Sequence, residues 1–344
     1  MPSRTAPARR PSGGGFRRAV SAAVAGFLLA AAVTCATDDG SAPEQVPGAW
    51  PLTGVDAGGA DTARPALAVK VENSDAARPQ TGLNAADVVW EQVVEGGISR
   101  FVAVYHSTLP PTLGPVRSVR PMDAPIAAPL RGLLAFSGGQ APFIDAARAA
   151  GLQVVQPDSG PGFFRTGDRV APHNTYVDPA ALLGQADAEH QGPPPTQFWF
   201  GADATAVADG EPTGALGLAL SAIAEPRWEW SGGDGAWLRS EGTVPALEAD
   251  GARMRATNVV VLRVDLVDTA FTDSAGTAVP ETVLVGDGEA LVATGGHTVE
   301  AEWSKESVGD PVVLTLPGGD PVVLAPGSTW VELVPNGSGS VTVG

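Results

Sequence analysis

The chain holds one cysteine, Cys35, in 344 residues. A single thiol excludes an intramolecular disulfide and a cysteine-built zinc site. Positive charge is also scarce. The 21 Lys and Arg residues stand against 38 Asp and Glu, a formal charge of −17. That balance excludes broad contact with a phosphate backbone, so no nucleic-acid partner is expected. Helix-favouring composition is lacking too, because 43 Gly and 31 Pro occupy about a fifth of the chain, well above average usage. There is no G-x-S-x-G elbow, no P-loop, no H-E-x-x-H, no G-x-G-x-x-G and no S-x-x-K pair, which removes several common hydrolase, nucleotide and metal chemistries. His106, His173, His190 and His297 show no metal-ligand spacing, and neither a metal nor a cofactor is expected. Hydrophobic residues still make up 44%, enough for a substantial core.

The N-terminus reads as an export address. Arg4, Arg9, Arg10, Arg17 and Arg18 precede the apolar run 19–33, and no acid occurs before Asp38. Fifteen apolar-rich residues suit a signal-peptide core and are short for a membrane span. The run ends Ala32-Val33-Thr34-Cys35, which resembles a bacterial lipobox with Thr34 in place of a small Gly, Ala or Ser and Ala32 in place of Leu. Residues 1–35 are thus expected as a signal peptide and Cys35 as the lipid-bearing residue. The alternative is ordinary cleavage near 31–36 and secretion. Loss of residues 1–34 removes five arginines and no acid, leaving a net −22. An anionic membrane would repel such a body, so membrane partnership rests on acyl chains at Cys35. Residues 36–60, rich in Gly, Pro, Ala and Asp, read as a flexible tether, with Trp50, Pro51 and Leu52 the first to dock.

The fold expected for the remainder is α+β: an α/β N-terminal domain with a mixed sheet over 61–195, followed by a smaller β-rich domain over 196–344. Strands are predicted at 66–73, 87–94 and 99–106. Glu95-Gly96-Gly97-Ile98 joins the last two as a tight turn. Helices are predicted over 123–131, 140–150 and 179–190, with buried strands at 133–137 and 152–155. Beyond 196, short strands and Gly-rich turns dominate. Trp228, Trp230, Trp237, Trp303 and Trp330 are expected as core aromatics more than sugar platforms.

Charge divides unevenly. Residues 61–131 carry seven basic and seven acidic groups, while 132–344 carry −18. The neutral stretch holds a set of polar loops. Arg78-Pro79-Gln80 follows the first strand, Glu91, Glu95 and Arg100 bracket the hairpin, and Gly114–Arg120 follows the third strand. Ser137-Gly138-Gly139 follows a buried strand, and Ala171–Tyr176 ends a Gly-rich segment.

At these residues the chain resembles the YerB-like bacterial lipoproteins, a family built on domains of unknown function (DUF3048, N- and C-terminal parts). The likeness is carried by Pro51-Leu52-Thr53-Gly54, Arg78–Leu83, Glu95–Phe101, Gly114–Arg120, Ser137–Gly139, Ala171–Tyr176, Trp303-Ser304-Lys305 and Pro326–Glu332. It spans roughly residues 50–335. It implies an exported two-part lipoprotein on the outer face of the cytoplasmic membrane, and it brings no catalytic residues.

Three functions remain open. In the first, Arg78, Arg100, Arg117 and Arg120, with Glu91, Glu95, His173 and Asn174, line a loop cleft for an anionic envelope ligand, since guanidinium forks bind carboxylate or phosphate. The competing reading is that the arginines pair internally with Glu91, Glu95 or Asp123 and brace the loops. In the second, His173 and Glu95 form the acid–base pair of an envelope-acting hydrolase or transferase; Glu91 with Glu95 is a further candidate carboxylate pair. In the third, the chain binds an envelope protein and no small ligand.

Overall fold

The structure, a computed structural model, describes residues 47–344. The export segment, Cys35 and the first part of the expected tether lie outside the described residues. From 49 onward the expected tether is folded. Ala49 bridges Asp56, and Leu52 is fully buried. The Trp50 ring meets His106 edge-on at 5.0 Å and lies under the Arg64 guanidinium. Burial of Leu52 and the contact of the half-buried Trp50 with His106 hold the Gly-rich turn in place.

The first half supplies β1 (Leu67–Glu72), β2 (Val88–Val93), β3 (Ser99–Tyr105), β4 (Leu133–Ala135) and β5 (Gln153–Val155). The short helix α1 (Asp123–Ala127) precedes β4, and α2 (Ala141–Ala149) joins β4 to β5. Gly151 follows α2 at φ +80°, the left-handed exit that favours glycine. A small hairpin, β6 (Phe163–Arg165) and β7 (Thr175–Val177), carries the loop containing His173. The helix expected over 179–190 is only α3 (Pro179–Leu183). Asp178 caps its N-terminus, but Gly184 ends it, and the polar stretch beyond has no apolar face to bury.

The second half supplies β8 (Ala215–Ala219), β9 (Pro226–Ser231), β10 (Ala236–Glu241), β11 (Asn258–Thr272), β12 (Ala278–Val283), β13 (Gly286–Thr294), β14 (His297–Lys305), β15 (Val313–Thr315), β16 (Thr329–Pro335) and β17 (Ser340–Val343). The main sheet runs β15-β14-β13-β11-β16-β2-β3-β1-β4-β5 and crosses the composition boundary at 195/196. The seam is β16, parallel to both β11 and β2. Thr329–Pro335 is buried throughout, so strands of the two halves continue one apolar surface. A second sheet, with β10-β9-β8-β17 at its centre, covers one face of the first.

Two cores follow from the pleat. Val69, Val71, Phe101 and Tyr105 face the second sheet and pack with Leu216, Trp228 and Trp237. Ala68, Val102 and Val104 face the helical layer and pack with Ile126, Phe143 and Ala147. Each fully buried aliphatic or aromatic side chain contributes about 1.5–3 kcal/mol. Trp228, Trp237, Trp303 and Trp330 are buried in these cores and Trp230 packs against one of them. The alternation in LAVKVE predicts a half-exposed strand, yet all six residues of β1 are buried. Its polar members, Lys70 and Glu72, point into the helical layer and are paired there with charge.

Candidate functional site

Parallel strands β1, β4 and β5 end at one edge of the sheet. In open sheets of this kind, ligand crevices form outside the carboxyl ends of the strands. At that edge Glu72 of β1 stands opposite Arg100 of β3, which stands opposite Gln92 of β2. Cross-strand partners share a face, so Glu72, Arg100 and Gln92 form a polar row on the helical side, with Lys70 one pleat behind. The segment 115–119 lies alongside β1. Glu72 donates its backbone N–H to the Pro115 carbonyl, and Arg117 donates to that of Lys70. The peptide bonds Arg78-Pro79, Gly114-Pro115 and Ala171-Pro172 are cis.

The row is surrounded by charge. Arg117 Nε lies 3.2 Å from Glu72 Oε2. His173 Nδ1 lies 3.0 Å from both Glu72 oxygens. Arg120 Nε lies 2.5 Å from Glu95 Oε1, and its backbone N–H donates to Asp123. Behind them Lys70 Nζ and Gln92 Nε2 both donate to Asp123 Oδ1, at 2.6 and 2.5 Å. Lys70 and Asp123 are fully enclosed, and burial pulls the Lys70 amine down to about 8 despite Asp123.

Arg100 is the exception in this network. It is 9% exposed, and among the described residues its one hydrogen-bond acceptor is the Ser118 carbonyl, 3.1 Å from Nη1. No carboxylate among the described residues lies within salt-bridge distance of it. Burial, then repulsion from Arg120 and Arg117, lowers its guanidinium to about 10 against the pull of Glu95 and Glu72. The edge thus assembles Lys70, Arg100, Arg117 and Arg120 against Glu72, Glu95 and Asp123, with His173 beside them. It carries a surplus of donors.

Of the sequence candidates, Arg100, Arg117, Arg120, Glu95 and His173 come together here. The pair expected between His173 and Glu95 does not form: His173 sits on Glu72 and Glu95 on Arg120. Arg78 turns away to Asn73, Asp75 and Glu241. Asn174 braces its own hairpin, accepting from Arg165 and donating to the Thr166 carbonyl. Glu91 is on the opposite face of the sheet, because it alternates with Gln92, so the Glu91–Glu95 pair is also absent. Sequence reasoning named Glu95 and Asp123 as internal partners of the arginines, and both do meet Arg120; it missed Lys70, Glu72 and Gln92. The signal for the first two was two charged residues in an apolar strand. Among the described residues no group of three His, Cys, Asp or Glu side chains is placed for a metal ion.

The opposite face holds a second cluster. Arg239 of β10 is fully buried and lies 2.7 Å from Glu91, 2.9 Å from Glu332 and 2.9 Å from Glu241. The rings of Trp330, Phe101 and Trp228 stand 4.9–5.5 Å from its guanidinium carbon, positions that favour a cation. Glu91 and Glu332 are register partners on β2 and β16. Burial, then the neighbouring Glu91, raises the Glu332 carboxyl well above its usual range. Glu332 Oε2 has no donor among the described residues, a gap that a proton held between the two carboxyls would fill. Trp228 Nε1 donates to Glu332 Oε1 at 2.8 Å. Burial works against charge on Glu241, but Arg239 and Arg78 hold its carboxyl low.

The comparisons with known proteins fit this architecture. The model "Protein of unknown function (DUF3048) N-terminal domain" matches residues 52–192, and its C-terminal companion matches 217–331. The chain therefore belongs to the DUF3048 family. It is similar to the "Putative lipoprotein YerB" of Bacillus subtilis (strain 168), with 35% identity over 130 residues, 37% of this chain and 39% of that protein. The aligned stretch thus spans well under half of that relative. The crystal structure of YerB from Bacillus subtilis superposes with a TM-score of 0.71 at 23% identity, covering 86% of this chain and 99% of that one. That likeness concerns the fold.

Proposed function

We propose that the chain is an exported lipoprotein of the bacterial cell envelope, anchored through Cys35, whose folded body binds the anionic group of an envelope ligand at the Arg100–Arg117–Arg120 edge. The anchor rests on the basic and apolar N-terminal run, the lipobox-like Ala32-Val33-Thr34-Cys35, and the printed name of the Bacillus relative. The binding rests on one observation. Arg100 is buried beside Arg120 and Arg117, and among the described residues no carboxylate is in salt-bridge contact with it, Glu95 and Glu72 attracting it only from further off. Burying an unpaired cation is costly, and an incoming anion offsets that cost. Arg117 and His173 retain roughly a fifth of their exposure, which leaves the edge open to solvent.

Two experiments test the two halves of the proposal. Membrane fractionation should place the wild type in the pellet and Cys35→Ala in the soluble fraction; equal distribution removes the anchor. Calorimetric titration with phosphate, sulfate, acetate and succinate at low salt should show binding that weakens with salt. It should fall about tenfold in Arg117→Ala. No heat from any anion, or an affinity indifferent to Arg117, overturns the binding site.

A further inference from the structure

On the face of the main sheet opposite Arg100, the second sheet stops one strand short. Its edge strand is β17, and among the described residues β17 pairs with β8 alone. Gly344 and Ala215 exchange both backbone hydrogen bonds. Such pairs alternate along an antiparallel ladder. Thr342 and Ser340 therefore point their amides and carbonyls at β8, and Val341 and Val343 point theirs outward. Neither valine has another backbone partner among the described residues. Edge strands are ordinarily blunted by a charge, a proline or a bulge. The edge Ser340–Val343 reads SVTV in regular register and has none of them.

Next to that edge the main sheet is partly uncovered. A groove of about 420 Å³ is lined by Val341 and Val343 and by residues of β11, β13 and β14. No residue of β8 lines it, so it lies on the free side of β17. Its floor is Val261 and Leu291, register partners that pack, like Val341, against the core between the sheets. Its rim is acidic. Glu289 of β13 stands directly opposite Glu302 of β14, and Glu300 stands opposite Leu291 on the same face. Like charges placed across a strand pair repel. All three carboxylates are exposed, and among the described residues none is in a salt bridge. Arg263, the one basic residue in the lining, donates to the Gly339 carbonyl at 3.4 Å.

We propose that this edge is a docking site for an extended, basic segment of a partner protein, which adds a strand to β17. Main-chain bonds to Val341 and Val343 supply the pairing. Alternate side chains of the added strand face the main sheet. An apolar one covers Val261 and Leu291, and a lysine or arginine meets Glu289, Glu300 and Glu302. Charge selects this occupant. A second copy of the chain brings the same three glutamates to the interface. Residues 36–46 of this chain hold Asp38, Asp39 and Glu44 and no Lys or Arg, so the acidic rim repels them too. The groove and the anion edge are on opposite faces, and neither reading depends on the other.

The test uses the folded protein released from its anchor. The probe is a synthetic hexapeptide alternating lysine and valine, beside a control peptide alternating glutamate and valine. Calorimetry at low salt should show binding of the lysine peptide alone, weakening as salt is added. Backbone amide NMR should show the Val341 and Val343 resonances shifted and protected from exchange. Glu302→Gln should weaken the lysine peptide about threefold. Val343→Pro removes an amide that faces away from β8, a position where an edge strand accepts proline. It should weaken the peptide about tenfold, with the β8 amides unmoved. If the lysine peptide gives no heat, or both peptides bind equally, the site is overturned. It is overturned too if both variants bind the lysine peptide as the wild type does, because the attraction is then to the net charge of the whole body. If the β17 amides become protected as protein concentration rises without peptide, a second copy fills the edge and the basic partner is excluded.

Discussion

Two buried arginines on opposite faces of one sheet have contrasting surroundings. Arg239 has three carboxylates, three aromatic rings and no solvent. Arg100 has one carbonyl, two arginine neighbours, the more distant carboxylates of Glu95 and Glu72, and an edge open to water. Around Arg239 burial opposes the charge, yet Glu241, Glu91 and Glu332 hold it firmly protonated. Around Arg100 burial and like charge outweigh the pull of Glu95 and Glu72. The first cluster joins β2 of one half to β10 and β16 of the other, and every donor has an acceptor. The second leaves donors over. An arginine with a full set of partners braces a fold, whereas one buried with fewer of them is where the proposed anion would sit.

The largest way to break this contrast is Arg239→Met. Removing the cation leaves Glu91 and Glu332 facing each other without it, a loss of about 3–5 kcal/mol in folding stability. Chemical denaturation at neutral pH measures it. A loss below about 1 kcal/mol, the size of an ordinary substitution, would mean that the aromatic shell and the shared proton already carry the cluster. Arg100→Gln should behave in the opposite way. It removes a desolvated charge and two repulsions along with the attractions of Glu95 and Glu72, so stability should change by no more than about 1 kcal/mol in either direction. Anion affinity should fall at least about tenfold. If Arg100→Gln destabilises as much as Arg239→Met, Arg100 is a brace and the contrast disappears.

The loops were legible because glycine, proline and arginine announce themselves locally. Gly96-Gly97 forms the predicted turn between β2 and β3, and Gly114–Arg120 delivers Arg117 and Arg120 to one place. Strand positions in the second half were legible for the same reason. Which face each residue takes was harder to read. Glu91 and Gln92 are neighbours in sequence, yet a pleat sends one to Arg239 and the other to Asp123. Only the positions of β16 and the second sheet show that both faces are covered. Partner choice was hidden for a related reason. His173 reaches Glu72 across 101 residues, and the spacing of His173 from Glu95 carries no information about that. Lys70 was concealed by the usual reading of alternation, which assigns a charged residue on a strand to solvent.

The smallest effect sharpens the comparison by asking whether the buried carboxyl pair shares a proton. Glu332→Gln keeps the shape, keeps an oxygen for Trp228 Nε1, and lets an amide N–H donate to Glu91 where the carboxyl proton did. At neutral pH its stability should lie within about 1 kcal/mol of the wild type. The pH dependence is the more decisive reading. A carboxyl whose folded pKa is raised stabilises the fold fully below its ordinary value of 4.5, and that contribution is lost as pH rises through the folded value. Glutamine does not titrate. The wild type should therefore be at its best relative to Glu332→Gln in mild acid, and the advantage should shrink steadily towards alkaline pH. Denaturation series across the pH range measure the difference. An advantage that grows with pH would mean that Glu332 is ionised and held by Arg239, so that the cation is matched by carboxylates alone and no proton is needed between Glu91 and Glu332.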